Sequence, residues 1–377
     1  MKLAIITLVQ HTYQGRKYYG YGPYVREMNL WGKYVDELLV VGIQRPDNIP
    51  TGIDSAYDKD IVFTPVPDFN ILTLLGVLKS FFAIPVVFFR ICKVMHEADH
   101  IHLRCPAHVS LVASVAQIFF PNKPKSTKYA GNWDPNSGQP WTYRLQQAIL
   151  RNTFLTRNMK VLVYGDWQGE TKNIYPFISA TYTEDEKVVF KAKDYAQPLI
   201  FVFAGMLVPG KRPLLTIQFI EKLNKKGVPA QLELFGDGPL MPELEVYVRE
   251  HNLESSIFLR GNCDKSEVKA ALLKSHFNIL LSKSEGWPKA VAEGMFFGCI
   301  PVATSVSCVG WMMGHGTRGI LVNPELETAV AHFLKVYKTE NLELMALKAL
   351  QWSQQYTFDR LENDIRQVLD GSFKSWV

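Results

Sequence analysis

The sequence predicts an α/β protein built from two doubly wound domains that face each other across a cleft. Three observations carry this expectation. The chain has 377 residues, more than one hydrophobic core ordinarily spans. Short β-branched runs alternate with helix-length amphipathic segments throughout, the pattern of parallel sheets covered by helices. A polar stretch, TYTEDEKVVFKAKDYAQP, interrupts the alternation before a fresh apolar strand at Leu199. Residues 1–190 are therefore expected to form the first domain and 191–357 the second. Residues 358–377 are expected to form a helix that packs back on the first. Ligands of such sheets bind at the carboxyl ends of the strands.

Taken in order, the first domain offers Leu3–Val9, Leu38–Val41, His100–Arg104, Ser126–Ala130 and Lys160–Tyr164 as strands. Helices are expected at Tyr24–Lys33, Ala107–Phe119 and Trp141–Phe154. The opening MKLAIITLV lacks a small-residue cleavage site, so a first core strand is expected there rather than a secretion signal. In the second domain the strands are Leu199–Ala204, Gln231–Phe235, Ile257–Leu259, Phe277–Leu281 and Pro301–Ala303, with helices between them.

Composition narrows the function classes. The chain is 47% hydrophobic and 20% charged, with a net charge of +5. That mild basic excess suits anionic substrates or an acidic membrane surface and is too weak to imply nucleic acid. The five cysteines (Cys92, Cys105, Cys263, Cys299 and Cys308) form no CxxC pair. They read as reduced thiols of a cytoplasmic protein, not as a disulfide framework or zinc site. The apolar stretch from Ile71 to Cys92 is interrupted by Lys79, Pro85 and Arg90. Its charge-free part is about half of the ~20 residues that cross a bilayer. Two readings stand: a buried helix pair, or a surface lying on an anionic membrane with Lys79, Arg90 and Lys93 near the headgroups.

The chemistry concentrates in SEGWPKAVAEGMFFGCIPV, Ser284 to Val302. HFNILLS before it reads as a buried strand and KSEGW as the loop at that strand's carboxyl end. Pro288 suits the first position of a helix that stops at Gly298. Glu285 then lies at the cleft rim, and Glu293 lies about 7 Å along the helix axis, at ~1.5 Å per residue. Helical side chains lean toward the amino terminus, so Glu293 points back toward the same rim. The free amides of the first turn point there too and suit a phosphate. Carboxylates for sugar hydroxyls beside amides for phosphate describe a nucleotide-sugar pocket. The plainer alternative is an i, i+4 salt bridge from Lys289 to Glu293, with Glu285 a solvated loop acid.

The same stretch resembles the E-x7-E signature of retaining GT-B glycosyltransferases, especially glycosyltransferase family 4. FAGMLVPGK, LELFGDGP, IFLRGN and RGILVNP resemble further motifs of that family in the family's order. The resemblance implies a GT-B architecture of two Rossmann-like domains. It also implies transfer of a sugar from a nucleotide diphosphate to a saccharide acceptor with retention, no metal, and no other cofactor. Glu285 would contact the donor sugar, and Glu293 the ribose hydroxyls. Lys211 would neutralise the leaving diphosphate, the effect that usually dominates such transfers. Gly286, Trp287, Lys289 and Ala290 would supply backbone amides. Gly205, Gly236 and Gly238 would line the donor site, and Arg260, Gly261 and Asn262 would hold the base. Met206 stands where the family generally has an Arg, leaving Lys211 and the helix amides to hold the diphosphate, or Arg212 to bend in.

The first half resembles the family weakly. Gly20 and Gly22 before Pro23 resemble its glycine loop, though an ordinary turn fits them as well. Arg104 is expected to face the cleft, while the histidines of HIHLRCP serve packing. Asn132 could bond the sugar, and Trp133 could stack on a pyranose face or fill the core. The acidic runs at Asp58 and Glu184 lack the strand context of a metal site. A lipid-linked saccharide acceptor in surface-polysaccharide synthesis would suit an exposed apolar stretch at the inner face of the cytoplasmic membrane. Two alternatives to transfer are a GT-B nucleotide-sugar epimerase and a non-catalytic sugar-binding scaffold that has lost activity with the Arg.

Overall fold

The computed structural model describes residues 1–69, 74–196 and 198–374. The chain divides into two compact units, one of Met1–Phe177 with Glu362–Val377 and one of Ile178–Leu361.

The first unit runs β1 (Lys2–Gln14), β2 (Lys17–Tyr21), α1 (Gly22–Lys33), β3 (Glu37–Gln44), β4 (Asp54–Ala56), β5 (Ile61–Pro65), α2 (Leu74–Glu97), β6 (His100–Cys105), α3 (His108–Ala116), β7 (Lys125–Tyr129), α4 (Trp141–Arg151), β8 (Met159–Tyr164) and β9 (Ile174–Phe177). Its parallel strands lie in the order β5-β3-β1-β6-β7-β8-β9. Helices on both faces bury Leu3, Ala4, Ile5 and Ile6 alike, so β1 opens as a continuous apolar run rather than an alternating one.

Beyond its core segment β1 continues into an antiparallel ladder with β2, which pairs in turn with β4. The turn residues Gly15 and Arg16 both have positive φ, 57° and 67°, the geometry that matches the twist of a two-residue hairpin. Gly20 and Gly22 are therefore not in a loop, as the sequence reading expected, but in β2 and at the start of α1. A Cβ on Gly22 would lie 2.8 Å from the Ser55 hydroxyl, and its amide donates to Ile53 O at 2.9 Å. Packing against the strand-β4 segment explains that glycine.

The apolar stretch folds as one helix, α2, and not as a buried pair; residues 70–73, which include Ile71, lie outside the described residues. Val87, Ile91, Val94 and Met95 join the core, while Phe81, Phe82 and Phe89 are 74%, 75% and 70% exposed on the other side. Among the described residues no helix is long and apolar enough to cross a membrane.

The second unit runs β10 (Leu199–Ala204), α5 (Pro213–Lys225), β11 (Ala230–Phe235), α6 (Met241–Glu250), β12 (Ile257–Gly261), α7 (Lys265–Lys274), β13 (Phe277–Leu280), α8 (Lys289–Phe296), β14 (Ile300–Thr304), α9 (Val309–Met312), β15 (Ile320–Val322), α10 (Leu326–Thr339) and α11 (Leu342–Ser353). The sheet order is β12-β11-β10-β13-β14-β15, parallel throughout. Strand order reverses between β10 and β13, leaving their carboxyl-end loops side by side at a topological switch point. A last helix, α12 (Phe358–Asp370), ties into the first unit through Glu362, which accepts from Lys33 and from the Tyr34 hydroxyl at 2.8 Å each.

Candidate active site

The switch point of the second unit gathers the chemistry. The loop after β10 and the loop after β13 are joined by the Lys283 amide, which donates to Gly210 O at 2.8 Å. This brings Lys211 Nζ within 2.5 Å of Glu285 Oε1, residues 74 apart in sequence. Glu285 is buried to 8% exposure, so it is not a solvated loop acid. Arg212, left-handed at φ 51°, caps α5 and donates to Leu281 O at 3.3 Å. Its guanidinium is thus held on the loop after β13.

A cavity of about 430 Å³ opens at the carboxyl ends of β10, β11 and β12, and neither Lys211 nor Glu285 is among the residues that line it. Gly205, Met206, Gly236, Asn262, Lys289, Ala290 and Glu293 all line it. Its floor depends on a close backbone approach. The Gly236 amide donates to Gly261 O at 2.7 Å, and the Gly205 amide to Phe235 O at 3.0 Å. These two amides serve the architecture and are not available to a ligand. Met206 is 65% exposed at the rim and offers no charge.

Helix α8 begins at Lys289, with Pro288 at the N-cap, one residue later than expected. Asn278 Nδ2 of β13 donates to Ala290 O at 3.2 Å and anchors the first turn on the sheet. The first amides of a helix have no acceptor within it, and here they belong to Lys289 and Ala290, both at the cavity. No ion pair joins Lys289 and Glu293 among the described residues, so the i, i+4 salt bridge is not formed.

Burial pushes the Glu293 carboxyl above its ordinary 4.5, opposed by a hydrogen bond with Thr181 and by Lys289 and Lys265. The folded chain therefore binds this proton more tightly than the unfolded chain. Stability from this group is greatest at low pH and falls as pH rises from about 4.5 through the raised value. Glu293→Gln is expected to melt a few degrees above wild type near neutral pH and level with it near pH 4. Thermal melts across pH check this; parallel profiles would contradict it.

Other expected residues fall elsewhere. Arg260 is paired with Glu233 at 2.9 Å and lies over the Phe258 ring at 5.2 Å, and it is not among the residues that line the cavity. Gly261 accepts from Gly236, and Gly238 packs against Leu207, where a Cβ would meet its carbonyl oxygen at 2.6 Å. The Trp287 ring is buried among Trp311, Trp352 and Tyr356, near-parallel to Trp352 at 6.4 Å. Gly286 accepts from Cys308 Sγ at 3.2 Å.

In the first unit, Arg104 is committed to Glu27 at 2.7 Å, which also binds Lys128 at 2.9 Å. Burial raises the Glu27 carboxyl, but the two cations outweigh it and hold the group down at about 2. Trp133 is fully buried, its indole donating to Glu170 at 2.9 Å with Arg151 over the ring at 4.4 Å. It fills the core and is not placed to stack on a saccharide. Asn132 Oδ1 accepts from its own Asp134 amide at 2.9 Å.

Among the cavity residues that the sequence does not mark as site residues are Thr181, Tyr182 and Lys265. Tyr182 stacks on Phe296 at 5.2 Å, and Lys265 sits 4.2 Å over its ring. Thr181 and Tyr182 open the stretch that reads as a linker and Lys265 opens α7, so no local pattern sets any of the three apart.

The fold of the two units is that of GT-B glycosyltransferase structures. A lipopolysaccharide outer core galactosyltransferase, WaaB, superposes with a TM-score of 0.69 at 16% identity, covering 99% of this chain and 100% of that one. The Anabaena protein HepE in complex with UDP and glucose superposes with a TM-score of 0.64 at 15% identity, covering 98% of this chain and 100% of that one. Residues 184–349, all within the second unit, match the family model "Glycosyl transferases group 1". An uncharacterized glycosyltransferase of Methanocaldococcus jannaschii is 27% identical over 191 residues, which cover 49% of this chain and 51% of the relative. The alpha-D-kanosaminyltransferase of Streptomyces kanamyceticus is 25% identical over 178 residues, covering 45% of this chain and 46% of the relative. The chain thus spans about half the length of the curated relatives it matches.

Proposed function

We propose that this chain transfers a glycosyl group from a nucleotide-diphosphate sugar to a hydroxyl of a saccharide acceptor, with retention of configuration and without a metal. The observation that carries the reading is the Lys211–Glu285 pair at the strand switch point, on the same carboxyl-end side of the sheet as a cavity lined by Glu293 and the first turn of α8. The donor's nucleoside occupies the cavity, with Glu293 accepting from the ribose hydroxyls. The diphosphate lies at the amides of Lys289 and Ala290, where the helix dipole favours negative charge. Glu285 accepts from the sugar. Lys211 meets the charge that grows on the leaving diphosphate as the C1–O bond breaks. The acceptor oxygen forms the new bond to C1, and its proton passes to the leaving phosphate oxygen.

Met206 leaves the diphosphate without the guanidinium that the E-x7-E resemblance would place there. With Arg212 held by Leu281 O, the Lys289 side chain is the cation at the cavity best placed to stand in for it. Support for a nucleotide-diphosphate donor comes from the UDP and glucose bound by HepE and from the group 1 match over the second unit. The acceptor fits a lipid-linked saccharide at the cytoplasmic face of a membrane.

The test is incubation with a panel of nucleotide sugars, uridine donors first, with and without saccharide acceptors. Nucleoside diphosphate release that rises with acceptor and survives EDTA is expected. Interconversion of the donor sugar without acceptor would replace transfer with epimerisation, and donor binding without any turnover would leave a scaffold.

A further inference from the structure

Helix α2 is apolar on two opposite sides. One side, with Val87, Ile91, Val94 and Met95, enters the first unit's core. The opposite side presents Phe81, Phe82, Val86 and Phe89, all exposed. A helix hydrophobic all round is normally covered all round, and single exposed apolar residues need no explanation while a contiguous patch does.

The patch continues beyond the helix. Phe88 meets Phe119 edge-on at 5.9 Å, and Phe119 is itself 68% exposed. The segment around Phe119 is bonded to the loop after α4: Gln117 donates to Leu155 O at 3.1 Å, and Asn158 to Pro121 O at 3.0 Å. In that loop Phe154 is 71% exposed, with the Arg157 guanidinium 4.7 Å over its ring.

There the apolar surface gives way to a cavity of about 650 Å³ at the amino ends of β7, β8 and β9. Arg157, Lys160 and Lys172 line it, with Asn158, Asn173 and Tyr175, and no carboxylate lines it among the described residues. Lys160 is partly engaged, its ammonium 3.5 Å from Gly371 O. Exposed Lys93 adds a further cation at the end of the α2 face.

We propose that this surface seats the first unit on an anionic phospholipid bilayer, with the phenylalanines of α2, Phe119 and Phe154 in the acyl boundary and a lipid phosphate in the cavity of Arg157, Lys160 and Lys172. The charge argues for a bilayer over a second copy of the chain. A self-interface would bring the three cations against like charge, whereas anionic headgroups neutralise them. Aromatic side chains beside lysine and arginine are the chemistry of a segment that lies in the interface. The seat is independent of the donor chemistry in the second unit, so failure of either leaves the other standing.

The experiment is co-sedimentation of the full chain with phosphatidylglycerol-containing vesicles and with pure phosphatidylcholine vesicles. Wild type is expected to prefer the anionic vesicles. Phe81→Glu/Phe82→Glu is expected to partition at least about tenfold more weakly to both kinds. Arg157→Gln/Lys172→Gln is expected to lose about fivefold per cation on anionic vesicles only. All four side chains are exposed, so unchanged thermal melts check that the variants fold. Wild type without an anionic preference, or a phenylalanine variant that sediments like wild type, would overturn the seat. So would a wild-type dimer in sedimentation velocity that Phe81→Glu/Phe82→Glu splits, since the face would then join two copies.

Discussion

Glu285→Gln is expected to lower kcat by roughly two to three orders of magnitude while donor Kd changes by less than about threefold. The carboxylate is buried and sits 2.5 Å from the Lys211 ammonium. On the proposed reading, an amide there would withdraw both the sugar contact and the charge that fixes the lysine at the leaving group. Lys211→Met should cost a similar factor, because on the proposed reading charge growing on the diphosphate is then met only by the helix amides and the more distant Lys289. The double variant should be little worse than either single one, since residues that act as a unit lose their effect together. Single-turnover kinetics with calorimetric donor titration separate the chemical step from binding. Multiplicative losses in the double variant would show two independent roles, and an active Glu285→Gln enzyme would remove the assignment.

Gly236→Ala should cost more stability than any surface substitution in the second unit. A Cβ at this position would lie 2.0 Å from the Gly205 carbonyl oxygen, and the residue has φ of +127°. Both obstacles are backbone, so no side-chain rotation relieves them. Moving the loops apart would break the bond from the Gly236 amide to Gly261 and the one from Gly205 to Phe235. A loss of about 3 kcal/mol or more is expected, which lowers the melting midpoint by roughly 6–12 °C for a unit of this size. Nucleotide binding should fall with it, because the same two glycines line the cavity. Gly210→Ala is the control: nothing lies within 4 Å of a Cβ there, and its midpoint should stay within about 1 °C. Equal melting of the two variants would contradict the close approach.

Legibility differed between kinds of element. The strand Leu199–Ala204 was readable to the residue because a fully apolar run between polar loops has one reading in a doubly wound sheet. Strand β2 was missed because its hairpin rests on positive φ at Arg16, a residue type without a turn signature. The loop position of Glu285 and the helix position of Glu293 were legible from a strand, a proline and a helix stop close together in the chain. Trp133 was not, since an indole suits a sugar face and a core equally well, and only its complete burial separates the two. Thr181 and Tyr182 were hidden because a polar stretch read as a linker also supplies part of the cavity lining.

The order of residues along the chain decided where strands, helices and caps begin, and which short stretch carries paired acids. Those outcomes follow from propensities and side-chain periods that act within a few residues. The fold decided which charges meet. Lys211 reaches Glu285 across 74 residues because strand order reverses between β10 and β13. Arg104 is claimed by Glu27 across 77 residues because α1 lies on the strand that carries it. Whether a cation is free for a ligand or already neutralised depends on neighbours that no local pattern names, and Coulombic attraction over a few ångströms is felt only once the sheet has placed them there.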